Sequence, residues 1–423
     1  MNGDARGRLP KTIVMKFGGS SLSTPELREI AASRVLEARQ RGAAPVVVCS
    51  ALGRSPDPYA TDTLLGLLGP SRNGPNRDLL LSCGEAIACA VFAELLASWG
   101  ADAQAMTGAQ AGIVTTSDFG EAKILRVEPG NLVAVLERGA IPVVAGFQGV
   151  SESGATTTLG RGGSDLTAIA LGDALGSEAV EIITDVSGVM TGDPRRIVGA
   201  HTIDRVSYGE MVELAADGAK VVHANAADYA RRTHTPYVVK GLRSNFGTAI
   251  DEGHAPERLH PVSGITALTD ATFFRVIQGD IDDPAERARL ERELFRRLAE
   301  RGVSVDMINI NNAGVFFITD GDRTDTVRAE LANLNLALRV RANCAKLSIV
   351  GAGMRGTPGV MYRVVAALID AGIEIIHSTD SNITISVLVP EEDVVRAEQA
   401  IHDSFRLGRQ EKTPPEMTAG GTR

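Results

Sequence analysis

Short apolar runs separated by helical patterns constrain the fold of this chain more than any other feature. Residues 12–15, 45–49 and 141–147 are rich in β-branched and apolar side chains with no polar alternation, which is typical of strands buried on both faces of a parallel sheet. Between the first two runs, residues 23–26 (Ser-Thr-Pro-Glu) predict a helix start, and the helix should continue to about Gly42. This strand–helix–strand order predicts an α/β fold with a ligand site at the carboxyl ends of the strands.

The loop after the first run, Lys16-Phe17-Gly18-Gly19-Ser20-Ser21, combines a cation, two glycines and two hydroxyls. Glycines allow backbone N–H groups to approach phosphate oxygens, and the lysine adds a positive charge. The spacing is not that of a Walker A loop. Taken alone, the loop fits a tight turn with an exposed lysine as well as it fits an anion site.

A second polar loop, residues 156–165 (Thr-Thr-Thr-Leu-Gly-Arg-Gly-Gly-Ser-Asp), leads directly into a predicted helix that begins near Leu166. Free N–H groups and the helix dipole favour an anion at such a helix start. Arg161 in this loop can bind a carboxylate through two parallel hydrogen bonds. These features favour a binding loop over an ordinary flexible one.

A third candidate is Glu85, which lies next to Gly84 in a long apolar helix predicted over residues 79–99. A carboxylate is unfavourable in an apolar helix unless it has a task or lies on an exposed face, and the sequence leaves both possibilities open. Further on, a strand at residues 180–185 ends in a polar pair, and residues 193–195 (Asp-Pro-Arg) and 218–221 (Gly-Ala-Lys-Val) follow in loops.

The pattern changes after residues 251–262, which we interpret as a linker. Two units of similar length then repeat the order strand, helix, strand, strand, helix, with helix–strand signals at 285–310 and 359–377. Residues 351–356 (Gly-Ala-Gly-Met-Arg-Gly) follow a strand and match the GxGxxG dinucleotide pattern. Too few residues remain for a full dinucleotide-binding sheet, so a dehydrogenase stays a minor alternative. The tail beyond residue 408 is predicted to be disordered.

Composition excludes several classes of protein. The 423 residues carry a net charge of −9, which disfavours nucleic acid as a main partner. The four cysteines show no zinc-type spacing and are expected to be reduced, as in the cytosol. The first ten residues lack the apolar stretch of a signal peptide. The sequence has no run of 18 apolar residues, so we expect no membrane span. We therefore expect a cytoplasmic protein without a membrane partner.

Taken together, the motifs at 16–21, 158–165, 184–195 and 218–221 resemble those of the aspartate kinase family in order and spacing. Residues 350–360 resemble the ACT domains of that family. The stretches "DPYATDTLLGLL" and "LLSCGEA" are most similar to the monofunctional, diaminopimelate-sensitive Bacillus type. The resemblance implies an amino-acid-kinase-type parallel-sheet sandwich at 11–250 and a linker at 251–262. It further implies two ferredoxin-like ACT domains at 263–340 and 341–408, and a tail at 409–423.

The implied reaction is the ATP- and Mg²⁺-dependent phosphorylation of the β-carboxylate of L-aspartate, the first step towards lysine, diaminopimelate, threonine and methionine. The family's roles then fall on matching positions. Lys16, Arg161 and Asp165 would be catalytic, and Thr61, Glu85, Arg161, Ser164 and Asp165 would bind aspartate. The nucleotide would contact Lys16, Phe17, Gly18, Gly19, Ser20, Thr184, Asp185, Met190, Arg195, Lys220 and Val221. Magnesium would be held by the phosphates without a dedicated protein cage.

The resemblance also implies a homodimer joined through the ACT domains and an amino-acid effector: diaminopimelate, lysine or threonine. Effector contacts would come from Met307, Asn309, Asn311, Met354, Thr357, Gly359 and Val360. The chain departs from the family pattern at 223–225 (His-Ala-Asn) and 240–242 (Lys-Gly-Leu). Two alternatives remain open: another carboxylate kinase of the superfamily, acting on glutamate or an acetylated amino acid, and a non-catalytic amino-acid sensor.

Overall fold

A computed structural model describes residues 11–69, 72–219, 221–252, 261–277, 283–334 and 336–408. The chain forms two compact units. The first unit is interrupted in sequence by a short segment that belongs to the second. The first unit comprises Met1–Val189 and Thr202–Arg258, and the second comprises Met190–His201 and Leu259–Arg423. Lys220, most of the predicted linker and the predicted tail lie outside the described residues.

The first unit alternates strands and helices, as the sequence predicts. Its strands are β1 (Thr12–Phe17), β2 (Ala44–Cys49), β3 (Ala103–Met106), β4 (Ile113–Thr115), β5 (Ile124–Val127), β6 (Ile141–Ala145), β7 (Gln148–Ser151), β8 (Thr156–Thr158), β9 (Ala179–Thr184), β10 (Arg205–Ser207), β11 (Tyr237–Gly241) and β12 (Gly247–Asp251). Its helices are α1 (Pro25–Gln40), α2 (Thr61–Gly66), α3 (Pro75–Ser98), α4 (Gly130–Glu137), α5 (Gly163–Leu175), α6 (Tyr208–Ala216) and α7 (Ala224–Thr233).

An eight-stranded sheet in the order β10-β12-β11-β9-β1-β2-β6-β3 forms the centre of this unit. Its pairs are parallel except for β11 with β12. The central strand β1 pairs with β2 on one side and with β9 on the other, so the strand order reverses there. In open α/β sheets such a reversal opens a crevice at the carboxyl ends of the strands. The last residues of β1 are Lys16 and Phe17.

A smaller sheet in the order β5-β4-β7-β8 lies in the same unit, and its last strand, β8, leads to the loop that carries Arg161. Helices α1 and α3 cover one face of the large sheet, where Phe17 and Phe92 meet in the core with ring centroids 5.7 Å apart. Helix α1 begins as predicted, with Thr24 accepting a hydrogen bond from the backbone N–H of Leu27.

Helix α3 begins four residues before the predicted start, with Pro75 at its first position. This is the position where proline is best tolerated, because the N–H it lacks would have no partner there. Within the described residues, α3 is long and apolar enough to cross a membrane, but half of its apolar window is buried inside the unit. It contacts β3, β6 and β8 and is the core helix of this unit.

The second unit contains two copies of the predicted order. The first is β13 (Gly264–Ile277), α8 (Pro284–Glu300), β14 (Asp306–Asn311), β15 (Gly314–Asp320) and α9 (Thr324–Leu331). The second is β16 (Ala337–Val350), α10 (Val360–Asp370), β17 (His377–Asp380), β18 (Thr384–Pro390) and α11 (Val394–Ser404). These strands form one antiparallel sheet in the order β14-β15-β13-β16-β18-β17. The strand predicted over residues 373–377 is found further along the chain, at His377–Asp380. Ile373 is buried in the apolar core but is not part of a β-strand.

Strands β13 and β16 each contribute to two apolar cores. Ile265 in the first half of β13 packs with the cluster that contains Ile349 and Val364, whereas Phe274 in its second half packs with the cluster that contains Leu294. The register between the two strands shifts near Leu268 and Ala271, which separates the halves. The boundary predicted at 340/341 therefore falls within β16, and the two halves of the unit share their central strands.

Candidate active site

Lys16 and Asp165, which the resemblance assigns to catalysis, form an ion pair in the structure. Lys16 Nζ lies 2.5 Å from Asp165 Oδ1, and both side chains are about nine-tenths buried. Lys16 stands near the carboxyl end of β1, and Asp165 is in the first turn of α5. The alternative of a tight turn with an exposed lysine is therefore wrong. The pair lies at the sheet edge where the strand order reverses.

The glycine loop after β1 is held by backbone contacts with its neighbours. Gly18 N–H donates to the carbonyl of Ile183, and Gly53 N–H donates to the carbonyl of Gly19, both at 3.0 Å. A Cβ atom at Gly19 would lie 2.5 Å from the carbonyl oxygen of Ala51, so no larger residue fits there without a shift of the backbone. The side chain of Phe17 is buried in the core. Any contact of Phe17 with a nucleotide must therefore come from its backbone.

Glu85 is a buried carboxylate without a cation among the described residues. Its side chain belongs to α3 and is 2% exposed, so the sequence alternative of an exposed face is wrong. One carboxylate oxygen accepts the backbone N–H of Ala51 at 3.2 Å, and the other has no hydrogen-bond partner in the described part of the chain. Burial raises the pKa of Glu85 to about 8. A carboxylate in this state is poised to receive a cation from a ligand.

Gly84 brings the start of α2 close to Glu85. A Cβ atom at Gly84 would lie 2.8 Å from the carbonyl oxygen of Tyr59, so glycine permits the backbone before α2 to pack against α3. Thr61 is the first residue of α2, and its side chain is half-buried. The backbone just before Thr61 therefore packs against the turn of α3 that carries Gly84.

Arg161 lies between two glycines that both adopt left-handed backbone conformations. Gly160 and Gly162 each have a φ of 72°, which favours glycine. The side chain of Arg161 is exposed and makes no hydrogen bond or ion pair within the described ranges, so it is free to bind an anion. Ser164, in the first turn of α5, packs against Gly146 at the end of β6. Gly162 precedes α5 without a side-chain cap, and the N–H groups of Gly163 and Asp165 donate to the carbonyls of Gly160 and Gly162, both at 3.0 Å. The positive end of the helix dipole faces this loop.

The residues expected at the nucleotide are divided between the two units. Thr184 ends β9, and Asp185 follows it with an ion pair to Arg54 at 3.0 Å. Val221 is half-buried in the first unit, and Lys220 lies outside the described residues. Met190 and Arg195 belong to the Met190–His201 segment of the second unit, where Arg195 is exposed and pairs with Asp193 at 2.7 Å.

The two sequence departures have local structural explanations. His223 precedes α7, and its ring Nδ1 accepts the backbone N–H of Asn225. A Cβ atom at Gly162 would lie 2.1 Å from His223 Cβ, so this histidine also limits the Arg161 loop. Lys240 forms an ion pair with Glu181 on the neighbouring strand β9, at 2.5 Å. Both departures are accommodated within the first unit.

Sequence reasoning missed Asp78 and Arg54. Asp78 lies in the first turn of α3, just before the predicted helix start at residue 79, and Arg54 lies in the loop after β2. A sequence signal for Asp78 did exist, because Pro75 followed by an acidic residue is typical of a helix start. Its partners, Gly120 and Thr158, are distant in sequence and could not be found from local patterns.

The second unit has a cavity of about 490 Å³ between the loop after β16, the start of α10 and the turn that joins β17 to β18. Four of the predicted effector residues, Met354, Thr357, Gly359 and Val360, line it, together with polar residues of 378–382. The helix after the GxGxxG pattern begins only at Val360, so the compact strand–loop–helix turn of a dinucleotide site is absent from this described stretch. The other three, Met307, Asn309 and Asn311, belong to β14 and do not line this cavity.

Comparison with known proteins gives a consistent result. Residues 11–241 match the amino acid kinase family, and residues 347–405 match the ACT domain. Aspartokinase 1 of Bacillus subtilis is 42% identical over 94% of this chain and 100% of its own length. The aspartokinase of Geobacillus stearothermophilus is 39% identical over 94% of this chain and 98% of its own. The crystal structure of E. coli aspartokinase III in complex with aspartate and ADP has a TM-score of 0.76 at 25% identity, covering 93% of this chain and 100% of that one.

This chain therefore belongs to the amino acid kinase family, with an ACT domain following the kinase domain. Within that family it belongs to the aspartokinases, and its activity is the phosphorylation of aspartate under ACT-domain regulation.

Proposed function

We propose that the enzyme transfers the γ-phosphoryl group of ATP to the β-carboxylate of L-aspartate and forms 4-phospho-L-aspartate. The observation that carries this proposal is the buried Lys16 at the carboxyl end of the central strand, paired with Asp165 at 2.5 Å. A cation at this position can contact a phosphate above the glycine loop and a carboxylate next to it. The E. coli relative binds aspartate and ADP, as the proposed reaction requires.

The chemistry needs charge neutralisation more than proton transfer. The β-carboxylate of aspartate has a pKa of about 3.9 and is ionised at neutral pH, so it needs no general base. The main barrier is the repulsion between two anions and the charge that develops in the transition state. Lys16, the amino-terminal end of the α5 dipole and Arg161 supply positive charge at this edge.

Aspartate is held in our proposal by groups of opposite charge at its two α-substituents. Glu85, which has no cation among the described residues, takes the α-ammonium group together with the hydroxyl of Thr61. Arg161 takes the α-carboxylate, and Ser164 and Asp165 complete this side of the site. The β-carboxylate is then directed towards Lys16.

The nucleotide is held by the first glycine loop and the carboxyl end of β9. The residues proposed for it are Lys16, the backbone of Phe17, Gly18, Gly19, Ser20, Thr184, Asp185, Met190, Arg195, Lys220 and Val221. The described ranges contain no group of three or more His, Cys, Asp or Glu side chains that could hold a metal. Mg²⁺ would be bound mainly by phosphate oxygens in our proposal, where it would offset phosphate charge.

We further propose that an amino acid, namely diaminopimelate, lysine or threonine, binds in the second unit. The cavity lined by Met354, Thr357, Gly359 and Val360 supports this assignment, and a volume of about 490 Å³ is ample for one amino acid. The E. coli relative has also been crystallised with lysine and aspartate. A homodimer formed through the ACT domains and a cytoplasmic location complete the proposal.

An acyl-phosphate assay with hydroxylamine as the trap tests the reaction. With Mg-ATP, aspartate should yield hydroxamate and glutamate should not. Lys16→Ala should fold normally and lose about a thousandfold in kcat, because the two anions are then no longer neutralised. Lys11→Ala is the matched control, since Lys11 is an exposed lysine of the same strand region that pairs with the exposed Glu178 at 3.1 Å. Near-wild-type turnover of Lys16→Ala would refute the assignment of Lys16.

A further inference from the structure

Helix α3 carries a second buried carboxylate, Asp78, seven positions before Glu85. Seven residues correspond to about two helical turns, so the two side chains lie on the same face of α3. Asp78 is 0% exposed, and no ion pair of its carboxylate is found among the described residues. Burying a carboxylate is costly unless hydrogen bonds compensate for the loss of water. Asp78 therefore needs a structural or functional explanation.

One oxygen of Asp78 holds two separate loops. Oδ2 accepts the backbone N–H of Thr158 at 2.7 Å and that of Gly120 at 3.0 Å. The same two loops are joined by a hydrogen bond from Ala122 N–H to the carbonyl of Thr158 at 2.9 Å. Oδ1 has no hydrogen-bond partner in the described ranges. The carboxylate thus fastens the chain at the point where β8 ends.

The loop that follows Thr158 is the one that carries Arg161. Gly160 and Gly162 allow this loop its left-handed turns, but glycines also leave it with many alternative conformations. Leu159 fixes it on one side, through its N–H to the carbonyl of Phe147 at 2.9 Å. A Cβ atom at Gly160 would lie 3.2 Å from the carbonyl oxygen of Gly120, so the Gly120 loop lies against this turn. Asp78 therefore holds both the Gly120 loop and the end of β8 at Thr158 against α3.

We propose that Asp78 is a positioning residue that sets the place of Arg161 relative to Glu85 and thereby selects substrates with an α-carboxylate. Helix α3 carries Glu85 directly and anchors the Arg161 loop through Asp78. One rigid helix therefore fixes the separation between the ammonium and carboxylate sites. The inference rests on the proposed binding of the α-carboxylate by Arg161.

The discriminating variant is Asp78→Asn, which has the same shape but lacks the charge that strengthens both hydrogen bonds. We expect the KM for aspartate to rise roughly tenfold, with the KM for ATP within about twofold of wild type. β-Alanine is aspartate without the α-carboxylate and is the chemical probe. The ratio of kcat/KM for aspartate to that for β-alanine should fall roughly tenfold in the variant.

Glu210→Gln is the matched control, because Glu210 is also a fully buried carboxylate that accepts a backbone N–H, that of Ser207 at 2.8 Å. It completes the capping box of α6 with Ser207, and its replacement should leave the aspartate to β-alanine ratio unchanged. An equal loss for both substrates in Asp78→Asn would mean a merely structural role and overturn the inference. If that variant is insoluble, Asp78→Glu, which displaces the carboxylate by one methylene, should shift the ratio in the same direction.

A double-mutant cycle with Arg161→Lys separates this inference from the function on which it rests. If Arg161 binds the α-carboxylate, Arg161→Lys alone raises the KM for aspartate, because the two-pronged contact is lost. The effect of Asp78→Asn should then be much smaller in the Arg161→Lys background. An effect of Arg161→Lys with fully additive behaviour refutes the role of Asp78 only. No effect of Arg161→Lys refutes the role of Arg161, and the inference with it.

Discussion

Two buried glutamates, one in each unit, solve the same physical problem in different ways. Glu85 on α3 is 2% exposed and Glu398 on α11 is 1% exposed. Burial raises the pKa of Glu85 to about 8 and that of Glu398 to about 7. Glu398 has a cation partner, since Arg196 Nη1 lies 3.4 Å from its carboxylate, whereas Glu85 has none among the described residues.

The difference between them distinguishes a binding group from a structural one. The chain itself supplies the cation for Glu398, from the Met190–His201 segment that packs on α11. The same contact includes Thr191 Oγ1 and His402 Nε2 at 3.0 Å, so the segment is fastened at more than one point. Glu85 lacks such a partner because, in our proposal, the substrate brings it. In our proposal, the lack of a cation beside Glu85 among the described residues therefore reflects a ligand site, whereas Asp78 is compensated by two backbone N–H groups and has a positioning role.

Among the changes that test this comparison of the two glutamates, Glu85→Gln should have the largest effect, and it concerns aspartate. A neutral amide cannot balance the buried ammonium group, so we expect kcat/KM for aspartate to fall about a hundredfold. Succinate, which is aspartate without the amine, should lose far less, and this comparison is the readout. If kcat/KM falls equally for aspartate and succinate, Glu85 does not contact the ammonium group.

The next effect concerns stability in the second unit. The pKa of Glu398 is raised in the folded state, to about 7. The protonated Glu398 therefore contributes fully to the free energy of unfolding below about pH 4.5, and this contribution is lost as the pH rises through 7. Glu398→Gln removes this dependence. Relative to wild type, its free energy of unfolding should rise by about 2 kcal/mol between pH 5 and pH 8. Urea unfolding curves at the two pH values measure this, and parallel pH profiles would contradict it.

A smaller effect is the pH dependence of aspartate binding. The raised pKa of Glu85, about 8, means that the carboxyl group is protonated at pH 6.5 in the ligand-free enzyme. Binding an ammonium group favours the ionised form, so the KM for aspartate should fall by about tenfold as the pH rises from 6.5 to 8. The KM for ATP over the same range is the internal control. A KM for aspartate that is flat across this window would contradict the prediction.

The smallest expected effect is that of Arg196→Ala. Loss of the cation leaves Glu398 buried, but the carboxyl group can take up a proton instead, which limits the cost to about 1 kcal/mol near neutral pH. The loss should be larger at pH 8 than at pH 5, because Glu398 is already neutral at the lower pH. A calorimetric Tm at each pH tests this, and an equal loss at both would show that Arg196 acts by packing alone.

Local patterns predicted most of the elements. The strands predicted at 12–15 and 45–49 are found at Thr12–Phe17 and Ala44–Cys49. The helix that begins at Pro25 and the repeated order in the second half also follow from periodicity and capping. The start of α3 was missed because Pro75 lies next to residues typical of a loop. The strand predicted at 373–377 was misplaced because Ile373 satisfies its hydrophobicity by core packing alone.

The site was predictable in part for the same reason. Lys16 and Asp165 could be singled out one at a time, and the family resemblance joined them. The contacts of Asp78 with residues 42 and 80 positions away have no local signal. No local sequence signal shows that residues 190–201 belong to the second unit, because the residues they pack against are distant in sequence.

That discontinuous segment has a consequence for biogenesis. Residues 190–201 leave the ribosome long before α11, their packing partner, which spans Val394–Ser404. At ordinary elongation rates of about 5–20 residues per second, roughly ten seconds or more separate the two. During that interval Ile197, which ends buried, and Thr191 lack their final neighbours. The nascent chain therefore passes through a stage in which residues 190–201 have been synthesised but the rest of the second unit, to which they belong, has not.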